Sequence, residues 1–149
     1  MTYRNLLVPT DGSGRSRKAI RAAVALARTI GARITGIYVI AEGVPTVFSG
    51  SRLYGSGVVG REYRELVKRE ARQILAEVER RADDEDVPCR VLRRLAREPW
   101  RAILAAARSH GCDLIVMGSH GRGSVQTLLL GSQTAKVLAH SKIPVLVCR

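Results

Sequence analysis

The sequence is poor in aromatic residues and lacks a long hydrophobic run. Its aromatic side chains are four Tyr, one Trp and one Phe, which favours a core of Ala, Val, Leu and Ile. No run reaches the roughly eighteen apolar residues that a transmembrane helix needs, so a membrane-spanning helix is excluded. The first residues do not form a charged segment followed by an apolar one. We therefore expect no signal peptide and a cytoplasmic protein.

Cysteine is also scarce. The three cysteines are far apart in the chain, at Cys89, Cys112 and Cys148. A disulfide framework or a zinc site would need closer pairs, so we expect free thiols that pack as small apolar side chains. The histidines do not have metal-ligand spacing, and no serine lies in a G-x-S-x-G turn. The sequence thus predicts neither a metal centre made of histidines nor a hydrolase triad.

Acidic residues are few, 13 against 25 Lys and Arg, which leaves a net charge of +12. Such a charge attracts polyanions, including nucleic acids. The cations are mostly Arg and are spread along the chain, whereas a nucleic-acid-binding tail would collect them in one block. We favour a solvated Arg-rich surface. Nucleic-acid binding stays open as an alternative, although few aromatic rings are available to stack on single strands.

Apolar runs and helical patterns alternate along the whole chain. Four segments have helical spacing, and the last of them is predicted to run from Ser132 to His140. Between them lie five short β-branched or apolar runs at residues 4–10, 32–40, 87–95, 113–117 and 143–148. This alternation predicts one α/β domain over residues 1–149, with a doubly wound parallel sheet of five strands and helices on both faces. Residues 41–60 are rich in Gly, Ser and Pro and are predicted to form a long loop.

One glycine pattern is misleading. Residues 55–60 read GSGVVG and fit the dinucleotide fingerprint G-x-G-x-x-G. That fingerprint requires a strand leading into its first glycine and an acid at the end of the next strand. Here the preceding residues are loop-like, and Glu77 and Glu79 lie inside a helical pattern. The context therefore contradicts a dinucleotide site.

A second glycine pattern has a better context. Ligands of doubly wound sheets bind outside the carboxyl ends of the strands, where the strand order reverses. The first strand ends in PTDGS, and the fourth is followed by the spacing G-x2-G-x9-G-S, formed by Gly118, Gly121, Gly131 and Ser132. Glycines let backbone amides approach an anion, and a helix N-terminus favours phosphate. The alternative is that these glycines serve ordinary turns and caps.

Three segments resemble the universal stress protein family. NLLVPTDGSGRSRKAI, LIVMGSHGRGS and LLLGSQTAKVLAHSKIPVLVCR are similar to its ATP-binding subclass, and the likeness covers essentially the full chain. The resemblance implies a Rossmann-like fold similar to that of adenine nucleotide alpha hydrolases. It also implies bound ATP, with Mg²⁺ or Mn²⁺ held by the phosphates.

The resemblance implies roles for individual residues. Asp11 would lie near the ribose or the metal-phosphate side, Pro9 and Thr10 would line the same wall, and the backbone of Val39 would meet adenine. Met117 would flank the nucleoside. The phosphates would lie against Gly118, Gly121, Gly131 and Ser132. Secondary contacts would come from His120, Arg122, Gln133 and Thr134. We expect Gly118→Val or Gly131→Val to abolish nucleotide binding while leaving the protein folded.

These residues favour a nucleotide-dependent stress-response regulator over an enzyme. No general base is evident, so no catalytic residue is predicted and hydrolysis should be slow at most. The alternatives are a genuine ATPase or nucleotide-transferring enzyme, with Asp11 or Ser132 acting in catalysis, and a basic nucleic-acid-binding protein. The last strand, from Ile143 to Cys148, should lie at a sheet edge and pair with the same strand of a second copy of the chain. The resemblance likewise implies a homodimer through this strand.

Overall fold

The computed structural model describes residues 2–42, 57–121 and 130–149, with the backbone alone for residues 57–60. Five strands and four helices alternate along these residues. They are β1 (Asn5–Pro9), α1 (Gly14–Ile30), β2 (Arg33–Ala41), α2 (Gly57–Asp83), β3 (Cys89–Ala96), α3 (Pro99–Ser109), β4 (Leu114–Gly118), α4 (Ser132–His140) and β5 (Val145–Cys148).

The five strands form one parallel sheet in the order β3-β2-β1-β4-β5. This confirms the predicted doubly wound α/β architecture. The strand order reverses at β1, which pairs with β2 on one side and β4 on the other. A crevice therefore opens at the carboxyl ends of β1 and β4, and β5 lies at an edge of the sheet.

The core lies in two layers, one on each face of the sheet. Alternate residues of β1 point to opposite faces, so Leu6 belongs to the core under α1 and α2 while Leu7 belongs to the core with α3 and α4. Both are fully buried. Burying an aliphatic side chain of this size contributes about 1.5–3 kcal/mol, which fixes the helices against the sheet.

The helices begin and end at residues whose local chemistry suits those positions. The Ser13 hydroxyl accepts the Ser16 amide at the start of α1, and Gly31 ends that helix with a left-handed φ of 69°. Pro99 occupies the first turn of α3, and Gly131 is the extended residue before α4. The predicted span of α4, Ser132–His140, is confirmed.

Helix α2 begins earlier than the sequence pattern predicts. It starts at Gly57 and so includes the last four residues of the segment 41–60, which we predicted to be loop. Ala41 belongs to β2, and residues 43–56 lie outside the described part of the chain. Helix propensity at Gly57 and Gly60 is low, so packing farther along the helix outweighs it.

The three cysteines are free thiols, as predicted. Cys112 is buried, while Cys89 and Cys148 are half-buried. Burial raises the pKa of each thiol, and for Cys89 the raised pKa is about 11. Among the described residues, no helix is long and apolar enough to cross a membrane.

Candidate functional site

The loop after β1 is held by two buried hydroxyl groups. The Thr10 amide donates to the Ile37 carbonyl of β2 at 2.9 Å. Its hydroxyl accepts the Gly12 amide at 3.2 Å and donates to the Ser16 hydroxyl at 3.1 Å. Ser16 in turn donates to the Ser13 carbonyl at 2.9 Å. These bonds fix the turn that carries Asp11 against the start of α1.

Asp11 connects this turn to the loop after β4. Its Oδ1 accepts the Ser13 amide at 2.9 Å, which closes an Asx turn. Its Oδ2 faces Gly121, and a Cβ added to that glycine would lie only 2.7 Å from this oxygen. Glycine at position 121 therefore allows the carboxylate to reach the backbone of the second loop.

The end of β4 packs closely against the first turn of α1. A Cβ added to Gly118 would lie 3.1 Å from both the carbonyl carbon and the carbonyl oxygen of Arg15. The carbonyl of Gly118 accepts the buried Thr134 hydroxyl at 2.9 Å. Gly118 is thus required for the packing of α1, and its carbonyl joins β4 to α4.

Ser119 joins β4 to β5 and to the start of α4. Its amide donates to the Cys148 carbonyl at 2.8 Å, and its carbonyl accepts the Gly131 amide at 2.7 Å. Its hydroxyl lies 3.1 Å from Nδ1 of His120. A Cβ on Gly131 would lie 3.0 Å from the His120 Cα. The first and last parts of the G-x2-G-x9-G segment are therefore in direct contact.

The amides at the start of α4 are oriented by this contact. The first helical bond of α4 is donated by Ala135 to the Gly131 carbonyl. The amides of Ser132, Gln133 and Thr134 precede that bond and lie at the positive end of the helix dipole. Neither α1 nor α4 has an acidic residue in its first turn. At α1 the Ser13 hydroxyl and the Asp11 carboxylate already accept amides, whereas α4 has no side-chain cap, so the N-terminus of α4 favours an anionic ligand.

Two residues that were predicted to contact the nucleotide form hydrogen bonds within the protein. Oε1 of Gln133 accepts the Trp100 amide at 3.0 Å and so caps the first turn of α3. The Thr134 hydroxyl is bonded to Gly118, as described above. Sequence reasoning did not identify Ser16 or Trp100 as partners of these segments. For Ser16 a signal was present, because it follows the helix-capping Ser13 by three residues.

Three other predicted residues, Pro9, Val39 and Met117, lie at the same edge of the sheet. Pro9 is the buried end of β1 and is paired with Ile37 of β2, so Val39 lies two residues farther along the neighbouring strand. Met117 is buried at the end of β4. Arg122 lies outside the described residues. Within residues 2–42, 57–121 and 130–149, no group of three or more His, Cys, Asp or Glu could hold a metal ion.

Comparisons with known proteins identify the family of this chain. The model of the universal stress protein family matches residues 2–149. The chain belongs to the universal stress protein family. Universal stress protein YxiE of Bacillus subtilis is 35% identical over 151 residues, covering 99% of both chains.

Solved universal stress proteins share the fold. UspA from Lactobacillus plantarum superposes with a TM-score of 0.80 at 26% identity, covering 100% of this chain and 99% of that protein. A universal stress protein solved in complex with cAMP superposes with a TM-score of 0.67 at 25% identity, covering 99% and 97%. That relative therefore binds an adenine nucleotide.

Proposed function

We propose that this universal stress protein is a cytoplasmic regulator that binds ATP at the carboxyl edge of β1 and β4. The observation that carries the proposal is the approach of the Asp11 carboxylate to Gly121, beside the contact between Gly131 and Ser119. A carboxylate, a glycine turn and a helix N-terminus thus meet in one place. The cAMP complex of a relative supports an adenine nucleotide as the ligand.

The residues present suit the parts of such a nucleotide. Asp11 offers a carboxylate to ribose hydroxyls or to a phosphate-bound cation. The exposed Gly121 has no Cβ to separate its backbone from Asp11. The backbone of Val39 would meet adenine, Met117 would flank the nucleoside, and Pro9 and Thr10 would line the wall beside Asp11. Gly118 would shape the turn that enters the phosphate loop. His120 and Arg122 are further candidate contacts.

The phosphates would be bound by amides at the start of α4 rather than by Gly131. The Gly131 amide already donates a hydrogen bond to the Ser119 carbonyl. We therefore assign Gly131 a role in shaping the loop, and we assign anion binding to Ser132 and the first-turn amides of Gln133 and Thr134. A Mg²⁺ or Mn²⁺ ion would be held mainly by the phosphates, with Asp11 as its protein partner.

Binding is favoured over turnover by the state of Asp11. One of its oxygens accepts the Ser13 amide, so this carboxylate is used to hold its own turn. Phosphoryl transfer depends on positioning and on charge neutralisation around the γ-phosphate. We expect slow hydrolysis at most. Turnover of about 1 per second or faster would instead indicate an ATPase.

The first experiment is to denature the purified protein and identify any released nucleotide by mass spectrometry. We expect ATP or ADP near one molecule per chain. Calorimetric titration of stripped protein with ATP, cAMP and GTP then measures selectivity. Protein that is empty and also binds none of the three would refute the proposal. Preference for GTP would contradict the adenine assignment.

We also propose that the protein dimerises through β5. This strand lies at a sheet edge, and Leu146 on it is exposed. Leu146→Lys should convert a dimer into a monomer in analytical ultracentrifugation. Leu95→Lys is the matched control, because Leu95 is exposed on β3 at the opposite edge. A monomeric wild type, or a dimer lost only in the Leu95 variant, would refute this assembly.

A further inference from the structure

Helix α1 carries a large share of the net positive charge. Helix α1 carries five Arg or Lys residues and no Asp or Glu, whereas α2 carries seven cations and six acids. One helix of 17 residues therefore supplies +5 of the net charge of +12. Its exposed cations include Arg17, Lys18 and Arg21, which we call the α1 cationic surface. The cations of α1 are therefore not offset by acids on the same helix, whereas those of α2 largely are.

The cations of this surface repel one another, because Arg21 lies three residues from Lys18 and four from Arg17 on a helix that carries no Asp or Glu. Like-charged side chains at these spacings destabilise a helix by about 0.2–0.5 kcal/mol per pair. Among the described residues, the ion pair of α1 joins Arg28 to Glu85, and Lys18 and Arg21 are in no ion pair. Arg17 donates to the Gly12 carbonyl at 3.0 Å. An external anion would offset this repulsion.

The composition of the exposed face selects the kind of anion. Between its cations this face carries Ala22 and Ala25, and α1 contains no aromatic residue. Among the described residues, the large exposed apolar side chains lie on other elements, at Tyr63, Leu66, Leu95, Leu138 and Leu146. The surface therefore has no ring on which a single-stranded base could stack and no large apolar side chain to insert into a membrane.

We propose that the α1 cationic surface binds the phosphate backbone of duplex nucleic acid without regard to base sequence. Double-stranded DNA carries one negative charge per about 1.7 Å of its axis, so several cations on one face can each meet a phosphate. Lys18 and Arg21 lie one helical turn apart and extend outward from the same face. The inference does not depend on ATP binding at the carboxyl edge of the sheet.

The test uses fluorescence anisotropy to measure binding of the full chain to a labelled DNA duplex of arbitrary sequence. The measurement is repeated at several salt concentrations. Three phosphate contacts predict a slope of log affinity against log salt of about −2.7, or about a 40-fold loss between 50 and 200 mM NaCl. A second duplex of unrelated sequence should bind equally. Absence of binding at the lowest salt concentration, or a strong preference for one sequence, would overturn the proposal.

Matched variants locate the surface. The double variant Lys18→Gln, Arg21→Gln should weaken binding and reduce the salt slope to about −0.9. Arg17 is left intact because it holds the Gly12 carbonyl. The control Arg61→Gln, Arg64→Gln removes the same charge from exposed positions of α2 and should bind like wild type. Circular dichroism confirms that both fold, and Arg21→Gln alone is the milder second variant.

Three further outcomes would reject this surface or this partner. Equal weakening by the α1 and α2 double variants would show that net charge alone attracts the duplex. Binding to vesicles of phosphatidylserine and phosphatidylcholine but not to DNA would identify a membrane surface instead. Stoichiometric displacement of the duplex by ATP would place the anion at the carboxyl edge. Duplex binding that survives saturating ATP and is lost in the α1 variant supports the proposal.

Discussion

The carboxylate of Asp11 lies directly against the backbone of Gly121. A Cβ on that glycine would be 2.7 Å from Oδ2 of Asp11, although the two residues belong to loops that follow different strands. The Ser13 amide holds the other carboxylate oxygen at 2.9 Å. The carboxylate is therefore held between the start of α1 and the glycine-rich loop. One methyl group added at Gly121 should displace it.

Gly121→Ala should weaken ATP binding about tenfold or more, which corresponds to about 1.4 kcal/mol. The added methyl group forces Asp11 away from the loop while leaving the core untouched. Calorimetric titration measures the affinity. The control is Gly14→Ala, whose Cβ would meet only the Arg17 guanidinium at 4.0 Å. Equal ATP affinity in both variants would show that the contact between Asp11 and Gly121 does not shape the nucleotide site.

Gly118→Ala should lower the free energy of unfolding by about 1–3 kcal/mol, since overpacking against backbone is relieved only by moving a helix. The new Cβ would meet the carbonyl group of Arg15 at 3.1 Å. Urea denaturation measures the change. This contact revises our expectation that Gly118→Val leaves the protein folded, because the valine would be still larger. Wild-type stability in Gly118→Ala would mean that α1 shifts without cost.

Gly131→Val should also destabilise the fold, because its Cβ would lie 3.0 Å from the His120 Cα. Loss of nucleotide binding in either valine variant would therefore not separate a binding defect from a folding defect. Gly121→Ala avoids this difficulty, since its Cβ would meet the Asp11 side chain rather than backbone.

Thr134→Val should destabilise the protein by about 1–3 kcal/mol, because it leaves the Gly118 carbonyl without its buried donor. The bond is 2.9 Å long, and Thr134 is 3% exposed. The matched control is Thr29→Val, which removes an exposed hydroxyl bond to Ala25 on α1. Denaturation curves of both variants give the comparison. Equal stability changes would mean that the joint between β4 and α4 contributes nothing of its own.

The Cys89 thiol should make stability depend on pH above 9. Burial is the main cause that raises its pKa from 9.0 to about 11, with Glu79 and Asp83 adding to the shift. Between these values the unfolded thiol has lost its proton while the folded one keeps it. The unfolded state then binds fewer protons, so the free energy of unfolding falls as pH rises.

Comparing wild type with Cys89→Ala isolates this effect from other groups that titrate in the same range. The difference in unfolding free energy between the two proteins should be constant below pH 9 and should shrink towards pH 11. Iodoacetamide should modify Cys89 slowly in the folded protein at pH 8, because the thiolate is the reactive form. Rapid modification, or a difference that stays constant to pH 11, would contradict the raised pKa.

Several elements were predictable because their causes are local. Gly31 ends α1 through its own left-handed φ, and Pro99 starts α3 because its missing amide is not needed there. The start of α4 at Ser132 was equally readable from the preceding glycine. The start of α2 was not, since Gly57 and Gly60 are poor helix formers and the pattern that reveals the helix begins only at Tyr63.

Sequence reasoning indicated where the site residues meet but not how they are hydrogen-bonded. The glycine spacing and Asp11 indicated the carboxyl ends of β1 and β4, and the structure brings Asp11 and Gly121 together there. That a nucleotide binds at this edge stays a prediction. Nothing in the spacing showed that the Gly131 amide donates a hydrogen bond to the Ser119 carbonyl. Nor did it show that Gln133 caps α3 by accepting the Trp100 amide. Those bonds join residues 12 and 33 positions apart, and hydrogen-bonding partners at such distances depend on how the elements pack.

The sequence alone determined the alternation of strands and helices, the edge of the sheet that carries the glycines, and the total charge. Local periodicity, caps and turn residues act within a few positions of the chain, so they can be read without a fold. Only the tertiary structure decided that Asp11 meets Gly121 and that buried Asn5 bonds to Thr35. Each of these follows from packing between distant segments, where burial and close contact select among partners that the sequence leaves equivalent.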